Sequence, residues 1–207
     1  KNYAEMPKHP VRDSFRRLGA TIKDIKGQKN IFLYLLAFFF FIDGVYTIIE
    51  MATAYGSALG LDTQGLLMAL LVTQIVAFPF AILFGRISKR FSCEKLVMFC
   101  ILGYLGIALF ALQLDKAWEF WFLAVCVAVF QGAIQALSRS YFAKIIPKEK
   151  SSEYFGFFDI FGKGAAFIGT MVIGVSTQLT GNSKTGIAIL CLMFVAGLFC
   201  FKKSASL

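Results

Sequence analysis

The chain has 207 residues, of which 58% are hydrophobic and only 16% are charged, and its mean hydropathy is +0.71. A soluble domain would have nearer ~25% charged residues, so the composition indicates an integral membrane protein. The net charge of +9 does not indicate a nucleic-acid partner, because the basic residues lie in short segments between hydrophobic runs, as in cytoplasmic loops.

Residues 1–29 form a polar, basic segment that we expect to be the tail of a cytoplasmic loop, since a start at Lys1-Asn2-Tyr3 suggests a piece excised from a longer protein. Apolar residues recur there at helical spacing. They are Val11, Phe15, Leu18, Ile22 and Ile25. The pattern is compatible with a helix lying on an anionic membrane surface, or with a linker that is only partly helical.

Residues 30–207 predict a domain of six transmembrane helices, because six apolar runs are long enough to cross a bilayer. The predicted spans are 31–57, 64–85, 95–114, 118–142, 154–178 and 185–201. Eighteen Lys and Arg residues flank one side of these spans, and only Lys116 and Lys184 flank the other. The positive-inside rule therefore predicts that both termini are cytoplasmic.

Polar side chains occur within the first, second, fourth and fifth spans, whereas the third and sixth have none beyond their ends. This alternation predicts an all-α membrane fold of two three-helix repeats, each placing its last helix toward lipid. Pro79 lies inside the second span and predicts a kink there.

Asp43 is the most informative residue of the first span. It lies ~18 Å along that helix, near the bilayer midplane. A carboxylate facing lipid there costs at least ~2.5–3.5 kcal/mol, so Asp43 should face protein or a water-filled cavity. Glu50 follows seven residues later on the same helix face.

Further polar residues lie on the other polar spans at comparable depths. They are Gln74, Gln131, Gln135, Asp159 and Lys163. Together with Asp43 they predict a substrate- or ion-coupling site near the midplane. Alternatively, each glutamine joins neighbouring helices, and Asp159 and Lys163, at i and i+4, neutralise each other.

The residue inventory argues against an enzyme. The only histidine is His9, in the polar segment, which excludes a His-based nucleophile or zinc site within the membrane. The five cysteines form no C-x-x-C pair and are expected to be buried apolar residues. No phosphate-binding Gly-x-x-x-x-Gly-Lys loop is present, and we expect no catalytic residue, metal or cofactor.

Two stretches resemble a known family. The connection Gly85-Arg-Ile-Ser-Lys-Arg90 is similar to the loop signature of the major facilitator superfamily, although Lys89 replaces its aspartate and Ser92 its second glycine. The region from Gln131-Gly-Ala-Ile-Gln-Ala-Leu-Ser-Arg139 to Glu153-Tyr-Phe-Gly-Phe-Phe-Asp-Ile-Phe-Gly-Lys163 resembles the vacuole-effluxer-like branch of that superfamily, the autophagy-related permeases.

The resemblance covers residues 30–201 and implies the C-terminal six helices of a twelve-helix transporter, with the N-terminal six helices of the same protein as partner. It implies Gly85 and Arg90 at a cytoplasmic gate. Arg139 lies at the cytoplasmic end of the fourth span, and this position predicts a role at that gate or at lipid phosphates. Yeast relatives are associated with amino-acid export from the vacuole. For this chain we expect the bacterial plasma membrane.

The leading hypothesis is therefore a half of a secondary transporter that moves a small solute by alternating access, with coupling to protons as one option. Asp43 would couple an ion or substrate, and Lys163 would be its counter-charge or would bind a substrate carboxylate. The alternative is a non-transporting membrane scaffold in which Asp43 and Lys163 form a buried pair. Expressed alone, the half is also expected to be able to form a homodimer.

Overall fold

The computed structural model describes residues 19, 21–181 and 183–207. Six helices in these ranges are long and apolar enough to cross a membrane, which confirms the six predicted spans. They are α1 (Lys29–Ala58), α2 (Thr63–Ile87), α3 (Cys93–Ala111), α4 (Ala117–Ile145), α5 (Ser151–Thr180) and α6 (Ser183–Ala205), with a 3₁₀ turn at Lys148–Lys150. The third span ends earlier than predicted, at Ala111 instead of residue 114.

Local polar groups set several helix ends. The Asp62 carboxylate accepts a hydrogen bond from the Gly65 N–H at 2.9 Å and so caps the start of α2. Ser92 caps α3 in the same way, through the Lys95 N–H at 3.4 Å. Gly181, with φ of +64°, ends α5 in the left-handed conformation that favours glycine.

Helices α1 and α5 are the longest, with 30 residues each. At ~1.5 Å per residue each extends ~45 Å, so both project beyond a ~30 Å hydrocarbon core. In α1, 61% of the most apolar window is buried inside the bundle, against 11% in α2. Helix α1 is therefore central, and α2 presents most of its surface outward.

The helices pack crosswise between the two halves of the chain. Helix α1 packs mainly against α6 and α5, while α4 packs mainly against α2 and α3. Helices α3 and α6 contact each other as well. The first helix of each three-helix set is thus packed against the last two helices of the other set.

An aromatic cluster joins α1, α4 and α5. The Phe158 ring stacks on Phe38 with 3.9 Å between ring centroids and on Phe142 with 4.8 Å. The buried Tyr34 hydroxyl donates a hydrogen bond to the Ser138 carbonyl at 2.7 Å. These contacts fix the three helices relative to one another next to the cavity described below.

The described part of the N-terminal segment is helical over residues 21–27, whereas Val11, Phe15 and Leu18 lie outside the described residues. Ile25 is buried, at 2% exposure, while Ile22 is 37% exposed. The apolar stripe therefore divides, and at least Ile25 packs against protein instead of lying on a membrane surface.

Polar contacts attach the same segment to the beginning of α5. The Thr21 hydroxyl donates to the Glu153 carboxylate at 3.1 Å, and the Gln28 amide donates to the Tyr154 hydroxyl at 3.0 Å. An ion pair joins Asp24 to Lys150 in the 3₁₀ turn. The segment therefore packs against the helix bundle at the N-terminal end of α5.

Candidate functional site

A polar cavity of about 200 Å³ lies between α1, α4 and α5. Aromatic and aliphatic side chains form one part of its wall, and charged or amide side chains form the other. It is lined by Phe38, Ile42, Tyr46, Gln135, Arg139, Phe158, Asp159, Gly162 and Lys163. Four predicted site residues, Gln135, Arg139, Asp159 and Lys163, therefore meet in one cavity.

An ion pair between Arg139 of α4 and Asp159 of α5 crosses this cavity. The Arg139 guanidinium also lies 5.8 Å from the ring centroids of Phe155 and Phe158, within cation–π range. Asp159 is thus paired across helices, and no ion pair joins it to Lys163 among the residues that the structure describes. Both side chains are about half exposed, so the pair contributes at most ~1 kcal/mol to stability.

Lys163 gives the cavity an excess of positive charge. Its side chain is exposed, and no ion pair to it is found within the described ranges. The cavity thus contains two cations, Arg139 and Lys163, and one anion, Asp159, with the Gln135 amide beside them. Such a set can bind a carboxylate through Lys163 while leaving the Arg139–Asp159 pair in place.

Asp43 lies outside this cavity. It is fully buried, and its Oδ1 accepts a hydrogen bond from the Gly169 N–H of α5 at 2.9 Å. Thr47, one turn later on α1, is fully buried beside it. Neither Asp43 Oδ2 nor Thr47 Oγ1 has a hydrogen-bond partner among the described residues.

The contact between Asp43 and α5 depends on the absence of a side chain at residue 169. A Cβ atom added to Gly169 would collide with Asp43 Oδ1 and Thr47 Oγ1. Gly169 and Lys163 are six residues apart and so point roughly 120° apart around the helix. The pairing of Asp43 with Lys163, one of the two roles suggested for Lys163, is therefore not formed, since Asp43 contacts the face of α5 at Gly169 whereas Lys163 lies on the face that lines the cavity. The buried pair on which the scaffold alternative rested is not formed.

Three other predicted residues lie apart from the cavity. Glu50 and Gln74 are exposed, on α1 and α2 respectively. Gln131 is half-buried on α4, one turn from Gln135, and its Oε1 has no partner within the described ranges. The structure does not gather Asp43, Gln74, Gln131 and Lys163 into one hollow, because only Lys163 of these four lines the cavity.

The predicted gate residues are not assembled either. Gly85 and Arg90 are exposed at the end of α2 and in the connection to α3, and the Gly85 carbonyl accepts a hydrogen bond from the Ser88 hydroxyl at 2.8 Å. No ion pair of Arg90 occurs in the described part of the chain. Arg139 instead belongs to the cavity, with Asp159.

Sequence reasoning missed Thr47, Gly169 and Tyr46. Thr47 had a usable signal, because it lies four residues after Asp43 and so on the same helix face. Gly169 is one of several glycines in α5, and nothing in the sequence distinguishes it from Gly164, where an added Cβ would meet no atom within 4 Å. Within the described residues no group of three or more His, Cys, Asp or Glu side chains could hold a metal ion.

Comparison with known proteins identifies the family. The family model described as "Vacuole effluxer Atg22 like" matches residues 5–204, nearly the whole chain. The chain belongs to this family. This family is one of transporters of the major facilitator type, not of enzymes, and the six long apolar helices agree with a multi-pass integral membrane protein.

Among the relatives of this Atg22-like chain is the "Uncharacterized MFS-type transporter YxiO" of Bacillus subtilis (strain 168), 47% identical over 95% of this chain and 46% of the relative. "Autophagy-related protein 22" of Candida glabrata is 27% identical over 93% of this chain and 38% of its own length. The Saccharomyces cerevisiae protein of that name is 28% identical over 79% of this chain and 33% of its own length. The chain thus spans less than half the length of these relatives.

Proposed function

We propose that the chain is the C-terminal six-helix half of a secondary transporter that exports a small amino-acid-like solute by alternating access. The observation that supports this most directly is the cavity in which Lys163 accompanies the Arg139–Asp159 pair. A zwitterion bears one carboxylate and one ammonium group, and this cavity offers a cation, an amide and a half-exposed ion pair to receive them.

The fold supports a two-repeat half-transporter. Helices α1 and α4 each pack against the last two helices of the other three-helix set, as expected for two related repeats. The outward surface of α2 bears large apolar side chains such as Ile75, 70% exposed, and Phe78, 71% exposed. We propose that the N-terminal half covers part of this surface and supplies the rest of the substrate site. Both termini would be cytoplasmic, and the membrane would be the bacterial plasma membrane.

The cavity size fits half of a binding site. At about 200 Å³ it is smaller than the ~300–1,000 Å³ of typical ligand sites. Lys163 would bind the solute carboxylate, Gln135 would orient it, and the Phe38 and Phe158 rings would exclude water from one side. Rocking of the two halves would expose this surface to each side of the membrane in turn.

The test is a thermal-stability screen of the full-length protein against amino acids, matched simple carboxylates and matched simple amines. A ligand at 100 times its Kd stabilises the native state by about 2.7 kcal/mol. We expect amino acids to raise the Tm of the wild type and this shift to be lost in Lys163→Gln. Lys202→Gln, which removes an exposed cation near the end of α6, is the matched control and should keep the shift. Stabilisation that persists in Lys163→Gln would contradict the assigned carboxylate site.

A further inference from the structure

We propose that Asp43, Thr47 and the backbone N–H of Gly169 form a proton-binding site that is separate from the solute cavity and controls the packing of α1 against α5. The inference rests on the proposed transport function, because a proton site matters there as the partner of a solute site. It assigns roles to Thr47 and Gly169 and identifies the bound ion as a proton.

The site is a dry helix contact, not a cavity. Asp43 and Thr47 are both fully buried, and the Gly169 N–H donates to Asp43 Oδ1 at 2.9 Å. The missing side chain at Gly169 leaves just the space that the Asp43 and Thr47 oxygens occupy. Asp43 Oδ2 and Thr47 Oγ1 are both without a partner among the described residues, so each of these oxygens has unused hydrogen-bonding capacity.

The surroundings of Asp43 favour a neutral carboxyl group, because the side chain is fully buried and its Oδ2 has no hydrogen-bond partner among the described residues. An ionised carboxylate can accept about four hydrogen bonds, and here it receives one. A buried charge without a paired cation takes up a proton instead of remaining ionised. We assign the proton to Oδ2, because Oδ1 already accepts from the Gly169 N–H, and Thr47 Oγ1 packs with Oδ1 against the position where Gly169 lacks a side chain.

No cation on the surrounding helices replaces that proton in the described structure. On α1 the nearest charged residue along the chain, Glu50, is exposed and is itself an acid. On α5, Asp159 and Lys163 point into the cavity, where Arg139 of α4 pairs with Asp159. The charged residues of α6 lie toward its ends. They are Lys184, Lys202 and Lys203.

The backbone favours a proton over a sodium ion. Sodium sites in transporters use carbonyl oxygens freed where a membrane helix unwinds. Helices α1 and α5 continue without a break through Asp43 and Gly169, so their carbonyl groups remain committed to helical hydrogen bonds. A carboxyl group and one hydroxyl are too few oxygens for a sodium ion, but they suffice for a proton.

Release of this proton would loosen the α1–α5 contact. Deprotonation requires a water molecule to enter the contact. The O–H bond at Asp43 Oδ2 then breaks, this water takes the proton, and the carboxylate that remains needs further hydration that the closed contact does not admit. Helix α5 must then withdraw from α1 around Gly169. Because Asp159 and Lys163 lie on the same helix, the movement would reshape the solute cavity, which links proton release to solute binding.

Infrared difference spectroscopy of the full-length protein in lipid vesicles tests the site without requiring a solute. The acidic-minus-alkaline spectrum should contain a carbonyl stretch of a protonated, poorly hydrated carboxyl group, and Asp43→Asn should abolish that band. Glu149→Gln, which removes an exposed carboxylate in the 3₁₀ turn, is the control and should retain it. Persistence of the full band in Asp43→Asn, or its absence from the wild type, would overturn the proposal.

Two further variants keep the test decisive if Asp43→Asn does not fold. Thr47→Val preserves side-chain shape but removes the hydroxyl, so the band should shift in frequency. Gly169→Ala should shift it too, whereas Gly164→Ala should not, because its Cβ meets no atom within 4 Å. An unshifted band in both Thr47→Val and Gly169→Ala would overturn the assigned geometry.

A final arm compares sodium and potassium chloride at constant pH. We expect no difference between the two salts, and loss of the protonated band in sodium alone would overturn the proton assignment in favour of a cation. If amino acids fail to raise the Tm of the protein while the infrared band of Asp43 behaves as expected, only the proposed solute site is contradicted. The two proposals can therefore fail separately.

Discussion

Helix α5 has two polar faces with opposite surroundings. One face presents Asp159 and Lys163 to a cavity in which Lys163 is exposed and Asp159 is about half exposed. The other presents the Gly169 N–H to a carboxyl group from which solvent is excluded. Ionised groups persist where water or an opposite charge can reach them, and a buried acid without either is neutral. The two sites thus lie at different angular positions around α5, one with ionised groups and the other with a neutral acid.

The largest expected effect comes from removing the Phe158 ring from the wall of the cavity. Phe158 stacks on both Phe38 and Phe142, and it also lines the cavity. Phe158→Ala should lower the free energy of unfolding by about 3–5 kcal/mol, because a large buried ring is replaced by a void. Thermal unfolding of the full-length protein measures the loss. Phe167→Ala, at a ring 69% exposed on the same helix, should change stability little.

A smaller loss of stability is expected at the buried contact of Gly169 with Asp43 and Thr47. Gly169→Ala adds one methyl group where the Asp43 and Thr47 oxygens leave no space, so the native state should lose about 1–3 kcal/mol through overpacking. Gly164→Ala, with open space around its Cβ, should be neutral or slightly stabilising, since alanine favours the helix. Equal Tm values for the two variants would show that α5 can shift at Gly169 without cost.

Removing the ion pair between Arg139 and Asp159 should change stability only slightly. A double-mutant cycle of Arg139→Gln and Asp159→Asn should yield a coupling energy below about 1 kcal/mol, because half-exposed ion pairs are screened by solvent. The measurement is thermal unfolding of the two single variants and the double variant. A much larger coupling energy would indicate that the cavity is dry and would remove the contrast between the two faces.

The smallest effect is expected outside the membrane. Lys150→Gln removes the ion pair to Asp24 at an exposed position, and no measurable change in Tm should follow. Amide hydrogen exchange over residues 21–27 should nevertheless become faster, since this segment is attached to α5 by only a few polar contacts. Unchanged exchange would mean that Ile25 burial alone holds the segment.

The six spans and the four charged or amide residues of the cavity could be predicted from sequence, and the reasons are physical. Span length and hydropathy are local properties, so the helices follow directly. Asp159 and Lys163 at i and i+4 must share a helix face, and Gln135 and Arg139 repeat this spacing on α4. Once α4 and α5 pack together on α1, four of the predicted residues share one cavity.

The location of Asp43 could not be predicted in the same way. Its depth in the bilayer was sufficient to indicate burial, which the structure confirms at 0% exposure. Its neighbour depends on the rotation of α1 against α5, a property of tertiary packing that opposite charge alone does not decide. Asp43 accepts a hydrogen bond from the backbone N–H of Gly169 instead of pairing with a lysine. A backbone donor cannot be recognised from the pattern of charged residues in the sequence.

The attachment of the N-terminal segment to α5 has a practical consequence. Tyr154 is fully buried yet reaches back to Gln28, one residue before α1 begins, so the entry of α5 is tied to the entry of α1. A tilt of α5 would act through the hydrogen bond between Tyr154 and Gln28 and displace the short helix at residues 21–27. Spectroscopic probes attached to that helix would then report, from the aqueous phase, a rearrangement that takes place deep in the lipid.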